Sequence, residues 1–290
     1  KNIDKKNVFD TFPWLSIESV GKSASLAIVF KKNNRLQVVT EQVESREGAK
    51  DSLLPLIEKN AESSVGSIQR ISKFVVINGP GSFTGLRVVN SLIHGIALGL
   101  NRYMASVSLF ELFAFACLAS DRAVEPIKSE KLVLNVVLNA RLGEYFCCSI
   151  ECNYLGETKV NGARQIFPWQ IDLKDTPNVI TSAEISSWRN QENVLFCPKL
   201  SDFSFTKLLS KLKLDIDTIS FSVLAMLYQL SMKRNWRNPQ EIYPLYVKNK
   251  VALSSVERKF EPPLSLRELS ERDVPLLIQI EEKAYDFGWS

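Results

Sequence analysis

The stretch G-P-G-S-F-T-G at 79–85 carries the residue types that chemistry most readily uses. Three glycines free the backbone, and Ser82 and Thr84 stand where a helix would start. Free N–H groups at a helix N-terminus attract anions. Gly79, Gly81, Ser82, Thr84 and Gly85 are therefore the candidate anion-binding loop. The Lys-Ser/Thr pair of a nucleotide P-loop is missing, and the glycine spacing is not that of a dinucleotide fingerprint. A plain structural turn accounts for the same glycines. The single histidine, His94, cannot assemble a metal site that needs clustered imidazoles. Cysteines stand at 117, 147, 148, 152 and 197 without zinc or disulfide spacing, which reads as reduced thiols acting as small buried hydrophobes.

The elements that must position this loop are legible around it. Runs at 14–19, 24–30 and 36–43 predict an antiparallel meander, and 49–63 predicts a helix with Pro55 near its first turn. A buried strand at 73–79 leads into the loop and a helix follows to about 100. Along it Thr84, Arg87, Asn90, Ser91 and His94 draw a polar stripe, and most other positions are apolar or glycine. Gly95 and Gly99, one turn apart, would let another element approach closely. A helix at 108–119 gives the order β-β-β-α-β-α-α, which suits a mixed sheet with helices on its faces. Hairpin strands at 131–140 and 143–152 begin a second lobe, with a third strand near 155–161. Segments at 193–198 and 202–213 follow, and a helix at 218–235 is expected to return to the first lobe. The domain reading is a first lobe at 1–120 completed by 218–252, a second lobe at 121–217, and a linker at 253–263 ending in two prolines.

Composition bounds the function. The 290 residues are 45% hydrophobic and 23% charged with a net charge of +4, ordinary globular values that do not mark a dedicated nucleic-acid binder. No apolar run reaches the roughly 18–20 residues that cross a bilayer, and the N-terminus lacks the apolar core of a secretory signal. A cytoplasmic setting without a membrane partner is expected. Lys233, Arg234, Arg237, Lys248 and Lys250 cluster with Trp236, Tyr243 and Tyr246. A basic helix end explains this, and a minor RNA contact is the alternative.

The segment "FVVINGPGSFTGLRVVNSLIHGIALGL" resembles the signature of the TsaB (YeaZ) family, whose pattern is close to G-P-G-S-F-T-G-L-R before an apolar helix. "WLSIESVGKSASLAIV", "SLLPLIEKN", "NARLGEYF" and "IYPLYVKNKVA" are similar to further family segments. The resemblance implies an α/β fold of two RNase-H-like lobes of the actin/sugar-kinase/Hsp70 type. It implies a non-catalytic subunit in forming threonylcarbamoyladenosine at tRNA position 37. Such a subunit pairs with a catalytic TsaD-type subunit, works with a TsaE-type ATPase, and meets tRNA indirectly; pairing with a second copy stays open. No catalytic residue, metal or cofactor is expected, and no nucleotide hydrolysis by the chain alone. Glu18 replaces the family's Asp, Ala49 stands near its His, and Asn139-Ala140-Arg141 replaces its D-A-R.

The expected partner surface is an exposed apolar patch of two helices: Leu53, Leu54 and Ile57 on one, with Phe83, Leu86, Arg87, Val89, Asn90 and Ile93 on the other. Aspartate at Leu86 or Val89 is expected to break pairing while sparing solubility. Finally, 264–290 resembles the opening strand and helix of RimI-like N-terminal acetyltransferases of the GNAT fold. The sequence holds no acetyl-CoA loop, so this reads as a truncated C-terminal strand-helix segment. The alternative is a fused TsaB–RimI protein whose acetyltransferase acts on a ribosomal protein.

Overall fold

A computed structural model describes residues 12–19, 23–44, 53–81, 83–121, 130–141, 143–156, 159–160, 163–164, 167–189, 193–232 and 236–247. All of them lie in the first of two units, Lys1–Lys248 and Asn249–Ser290. The expected linker and acetyltransferase-like segment, Ala49, Ser82, Lys233, Arg234, Lys248 and Lys250 lie outside the described residues, as do the side chains of Phe83 and Arg141.

Strands β1 (Trp14–Glu18), β2 (Ser23–Lys32) and β3 (Arg35–Glu44) form the antiparallel meander. Every β1 residue is buried, as a central strand covered on both faces requires. After α1 (Leu53–Val65), strand β4 (Lys73–Gly79) lies parallel to β1. Helix α2 (Phe83–Gly99) then leads to β5 (Tyr103–Ser108), parallel to β4, giving the order β3-β2-β1-β4-β5. The sequence reading missed β5. Its Tyr-Met-Ala-Ser-Val-Ser composition lacks the run of branched residues that marked β4, so pattern alone gave no strand signal.

Helix α3 (Leu109–Ala119) has Phe110, Leu112, Phe113, Ala114, Phe115 and Ala116 all buried, so it is covered around its whole circumference. Its start is fixed by a reciprocal cap: Ser108 Oγ accepts from Glu111 N at 3.1 Å, and Ser108 N donates to Glu111 Oε2 at 2.9 Å. The second sheet follows, with β6 (Lys131–Arg141) and β7 (Glu144–Tyr154) as its hairpin. The third strand expected near 155–161 is only the two-residue β8 (Lys159–Val160), paired with β9 (Ala163–Arg164). The sheet is completed by β10 (Trp169–Leu173), β11 (Asn178–Thr181) and, after α4 (Ile185–Arg189), β12 (Val194–Phe196). Its order is β10-β7-β6-β12, with β12 parallel to β6 and β11 on β7.

Helix α5 (Thr206–Leu212) precedes α6 (Phe221–Met232), whose residues 222–231 are all buried. Ser222 Oγ lies 2.9 Å from Ser25 Oγ, a hydroxyl contact that seats α6 on the first sheet. One apolar core joins Val75 and Val107 of that sheet, α3, α6, and Leu134 and Ile150 of the second sheet. A separate core lies under α1 and α2 on the first sheet's other face. Among the described residues no helix is long and apolar enough to cross a membrane.

The N-cap residue of α5 is Phe205, which has no side-chain acceptor, so a distant group caps that helix. The Asp121 carboxylate, at the end of α3, accepts from Ser204 Oγ at 2.7 Å, Thr206 N at 2.8 Å, Lys207 N at 2.9 Å and the Thr206 hydroxyl. Burial opposes its ionisation, but the bonds from Thr206, Lys207 and Ser204 prevail and lower it to about 2. A folded value below the unfolded one, about 3.9, adds stability above that pH and loses it as pH falls toward 2. Asp121→Asn is therefore expected to lower stability at neutral pH while flattening the acid limb between about pH 4 and 2. Urea midpoints across that range check it; parallel wild-type and variant curves would contradict the assignment.

Candidate functional site

The loop after β4 is held from above. Asn78 O accepts from Leu245 N at 2.6 Å, and a Cβ at Gly79 would lie 2.7 Å from Leu245 O. Gly79 has φ +131, a conformation L side chains rarely adopt. Thr84 is exposed at the start of α2, Gly85 is buried, and a Cβ at Gly81 would sit 3.6 Å from the Leu86 side chain. Within the next turn Arg87 Nε donates to Tyr246 Oη at 3.2 Å, with the guanidinium 5.5 Å from the ring centroid. His94 lies part-buried with Nδ1 2.6 Å from Asn90 O and Nε2 2.8 Å from Ile242 O. Segment 242–247 thus crosses the loop and runs along α2, which sequence spacing did not announce.

The expected interface residues divide. Leu53, Ile57, Leu86, Val89, Asn90 and Ile93 are buried within this chain, while Leu54 and Arg87 are exposed. An exposed patch made of the six buried residues is thus corrected: Leu53, Ile57, Val89 and Ile93 belong to the core on their own sheet, and Leu86 lies against the loop at Gly79 and Gly81. Asn90 leaves the predicted polar stripe, donating from Nδ2 to Leu86 O at 2.8 Å. The outward face of α2 carries Thr84, Arg87, Ser91, Gly95 and Leu98, flanked by half-buried Val88, Leu92 and Ile96. A Cβ at Gly95 or Gly99 would meet nothing within 4 Å. Gly95 costs the helix interior about 1 kcal/mol relative to Ala, and nothing packed among the described residues requires it.

The remaining candidates for chemistry are engaged. Glu18, buried at the end of β1, accepts from Ser25 Oγ at 2.5 Å, and that serine joins a hydroxyl chain through Ser222 to Ser220. Burial first of all pushes the Cys147, Cys148 and Cys152 thiols up to about 12, far from the thiolate a nucleophile needs. Among the described residues no group of three or more His, Cys, Asp or Glu converges on one point.

Each sheet is a meander hairpin followed by a strand parallel to its first member, and helices fill the layer between the sheets. This defines a two-lobed α/β protein of the RNase-H-like, actin-like class. Residues 43–158, which include the loop and α2, match the family described as TsaD: tRNA N6-adenosine threonylcarbamoyltransferase. Comparison with curated proteins found no match. Among solved structures, YeaZ from Pseudomonas aeruginosa matches at 18% identity and TM-score 0.38, over 58% of this chain and 67% of that one. An uncharacterized protein with similarity to peptidase YEAZ from the same organism matches at 17% identity and TM-score 0.47, over 81% and 99%. A Ppx/GppA family member from Aquifex aeolicus matches at 8% identity and TM-score 0.29, over 62% and 54%.

Proposed function

We propose that this chain is a non-catalytic subunit of an assembly that forms threonylcarbamoyladenosine at position 37 of tRNA, pairing with a TsaD-type catalytic subunit. The observation that carries this reading is the family match over 43–158, which includes the G-P-G-S-F-T-G loop and α2. Support for a scaffold role comes from the polar groups of the site: Glu18 and His94 are each held by groups of this chain. The pairing surface in this reading is the outward face of α2, where Gly95 and Gly99 leave room for a partner's helix and Leu98 stands 46% exposed. A TsaE-type ATPase and a cytoplasmic setting belong to the same proposal.

Size-exclusion chromatography and calorimetry with a TsaD-type subunit test it. Gly95→Ala is expected to raise the chain's own stability by about 0.5–1 kcal/mol. Gly95→Leu, whose Cβ would meet no described atom within 4 Å, is expected to keep the fold and weaken pairing at least roughly tenfold. Full affinity with leucine there would move the interface elsewhere. Failure of the unaltered chain to pair at micromolar concentrations, or threonylcarbamoyl transfer by the chain alone, would overturn the subunit reading.

A further inference from the structure

A second site lies at the other end of the first sheet. A groove of about 570 Å³ opens where the start of β1 and the end of β2 meet the C-terminal end of α1. Lys31, Lys32 and Arg70 line it together with Phe12 and Phe30, and no carboxylate among the described residues does so. Both lysines are exposed, and neither forms an ion pair with a described residue. Arg35, opposite Lys32 across the hairpin and equally exposed, extends the positive edge. Arg70 spends one N–H on Val65 O at 3.3 Å.

The floor is aromatic and fixed. The Lys31 ammonium stands 5.2 Å from the Phe12 ring centroid, Phe12 stacks on Trp14 at 4.6 Å, and Trp14 meets Trp236 edge-on at 4.8 Å. Behind them Lys73 is buried, its ammonium 4.7 Å from the Trp236 ring and 5.4 Å from Trp14. Lys31, Lys32 and Arg70 thus line one concavity together with the Phe12 and Phe30 rings. Charge of one sign with aromatic side chains suits a phosphodiester backbone whose bases stack.

We propose that this groove binds a single-stranded RNA segment, a role that rests on reading the chain as a subunit of a tRNA-modifying assembly. The test is fluorescence anisotropy of the full chain with a labelled single-stranded RNA of about ten nucleotides, from about 50 to 200 mM salt. Binding is expected to weaken with salt. Lys31→Ala with Lys32→Ala should lower affinity about tenfold and reduce the log–log salt slope by about 0.7 for each cation removed. Lys211→Ala, an exposed lysine on α5, should change neither. No salt-sensitive binding, a double variant that binds as the wild type does, or displacement by oligoglutamate as readily as by unlabelled RNA would each overturn the proposal. Circular dichroism verifies that the variants fold. The pairing assay on the unaltered chain separates the two readings: pairing without RNA binding sinks the groove alone, and RNA binding without pairing supports the groove while sinking the subunit.

Discussion

Replacing Leu86 by Asp is expected to unfold the chain, not merely to uncouple it from a partner. Leu86 is 4% exposed, and its side-chain carbons lie 3.3 Å and 3.6–3.7 Å from where Cβ atoms at Gly79 and Gly81 would be. The variant forfeits the transfer free energy of the leucine, about 2–3 kcal/mol. It also places a carboxylate in an apolar layer, where an uncompensated charge costs about 3–5 kcal/mol. Together these rival the whole stability of a typical domain, about 5–15 kcal/mol. Far-UV circular dichroism and urea titration at neutral pH provide the measurement. Leu98→Asp, on the open side of the same helix, is the control, with a change within about 0.5 kcal/mol. A folded Leu86→Asp with a wild-type urea midpoint would show that this side of α2 does not face the core.

The same helix shows where the sequence was informative and where it stopped. Its apolar content implied packing on most of its sides. Leu86, Val89, Ile93 and Ala97 are buried, and Val88, Leu92 and Ile96 are half-buried. Periodicity cannot say which stripe meets the chain's own sheet, because both are apolar at helical spacing. The burial decision is made by strands β1 and β4 passing beneath, a tertiary fact. Strand β4 was legible as a short apolar run, whereas β5 was not, since its position beside β4 decides its structure more than its own residues do. Contacts across great sequence separation left no pattern at all. Arg87 meets Tyr246 across 159 positions, and Asp121 caps a helix that begins 85 positions later. Close approach was expected at Gly95 and Gly99, where a Cβ would meet no described atom within 4 Å; it occurs instead at Gly79, read as part of a turn or anion loop, whose Cβ would lie 2.7 Å from Leu245 O.

Gly79→Ala is the second large effect, and it follows from two independent costs. At φ +131 an alanine sits in a backbone region that costs about 1–3 kcal/mol. Its Cβ would also fall 2.7 Å from Leu245 O, closer than real Cβ contacts come, and 3.3 Å from Leu86 Cδ1. Leu245 O belongs to backbone, so it retreats only if the bond from Leu245 N to Asn78 O, now 2.6 Å, is given up. A loss of about 3 kcal/mol or more is expected, read as a lower urea midpoint and faster hydrogen exchange at the Leu245 amide. Gly81→Ala is the comparison: its Cβ would make ordinary contact with Leu86 at 3.6 Å, and its φ is not in the left-handed range, so a change under about 1 kcal/mol is expected. Equal losses in the two variants would refute the role given to segment 242–247. If Gly79→Ala alone releases that segment, Tyr246 leaves Arg87 on the outward face of α2, and pairing through that face should weaken together with stability. The glycine would then hold in place a surface it does not itself touch.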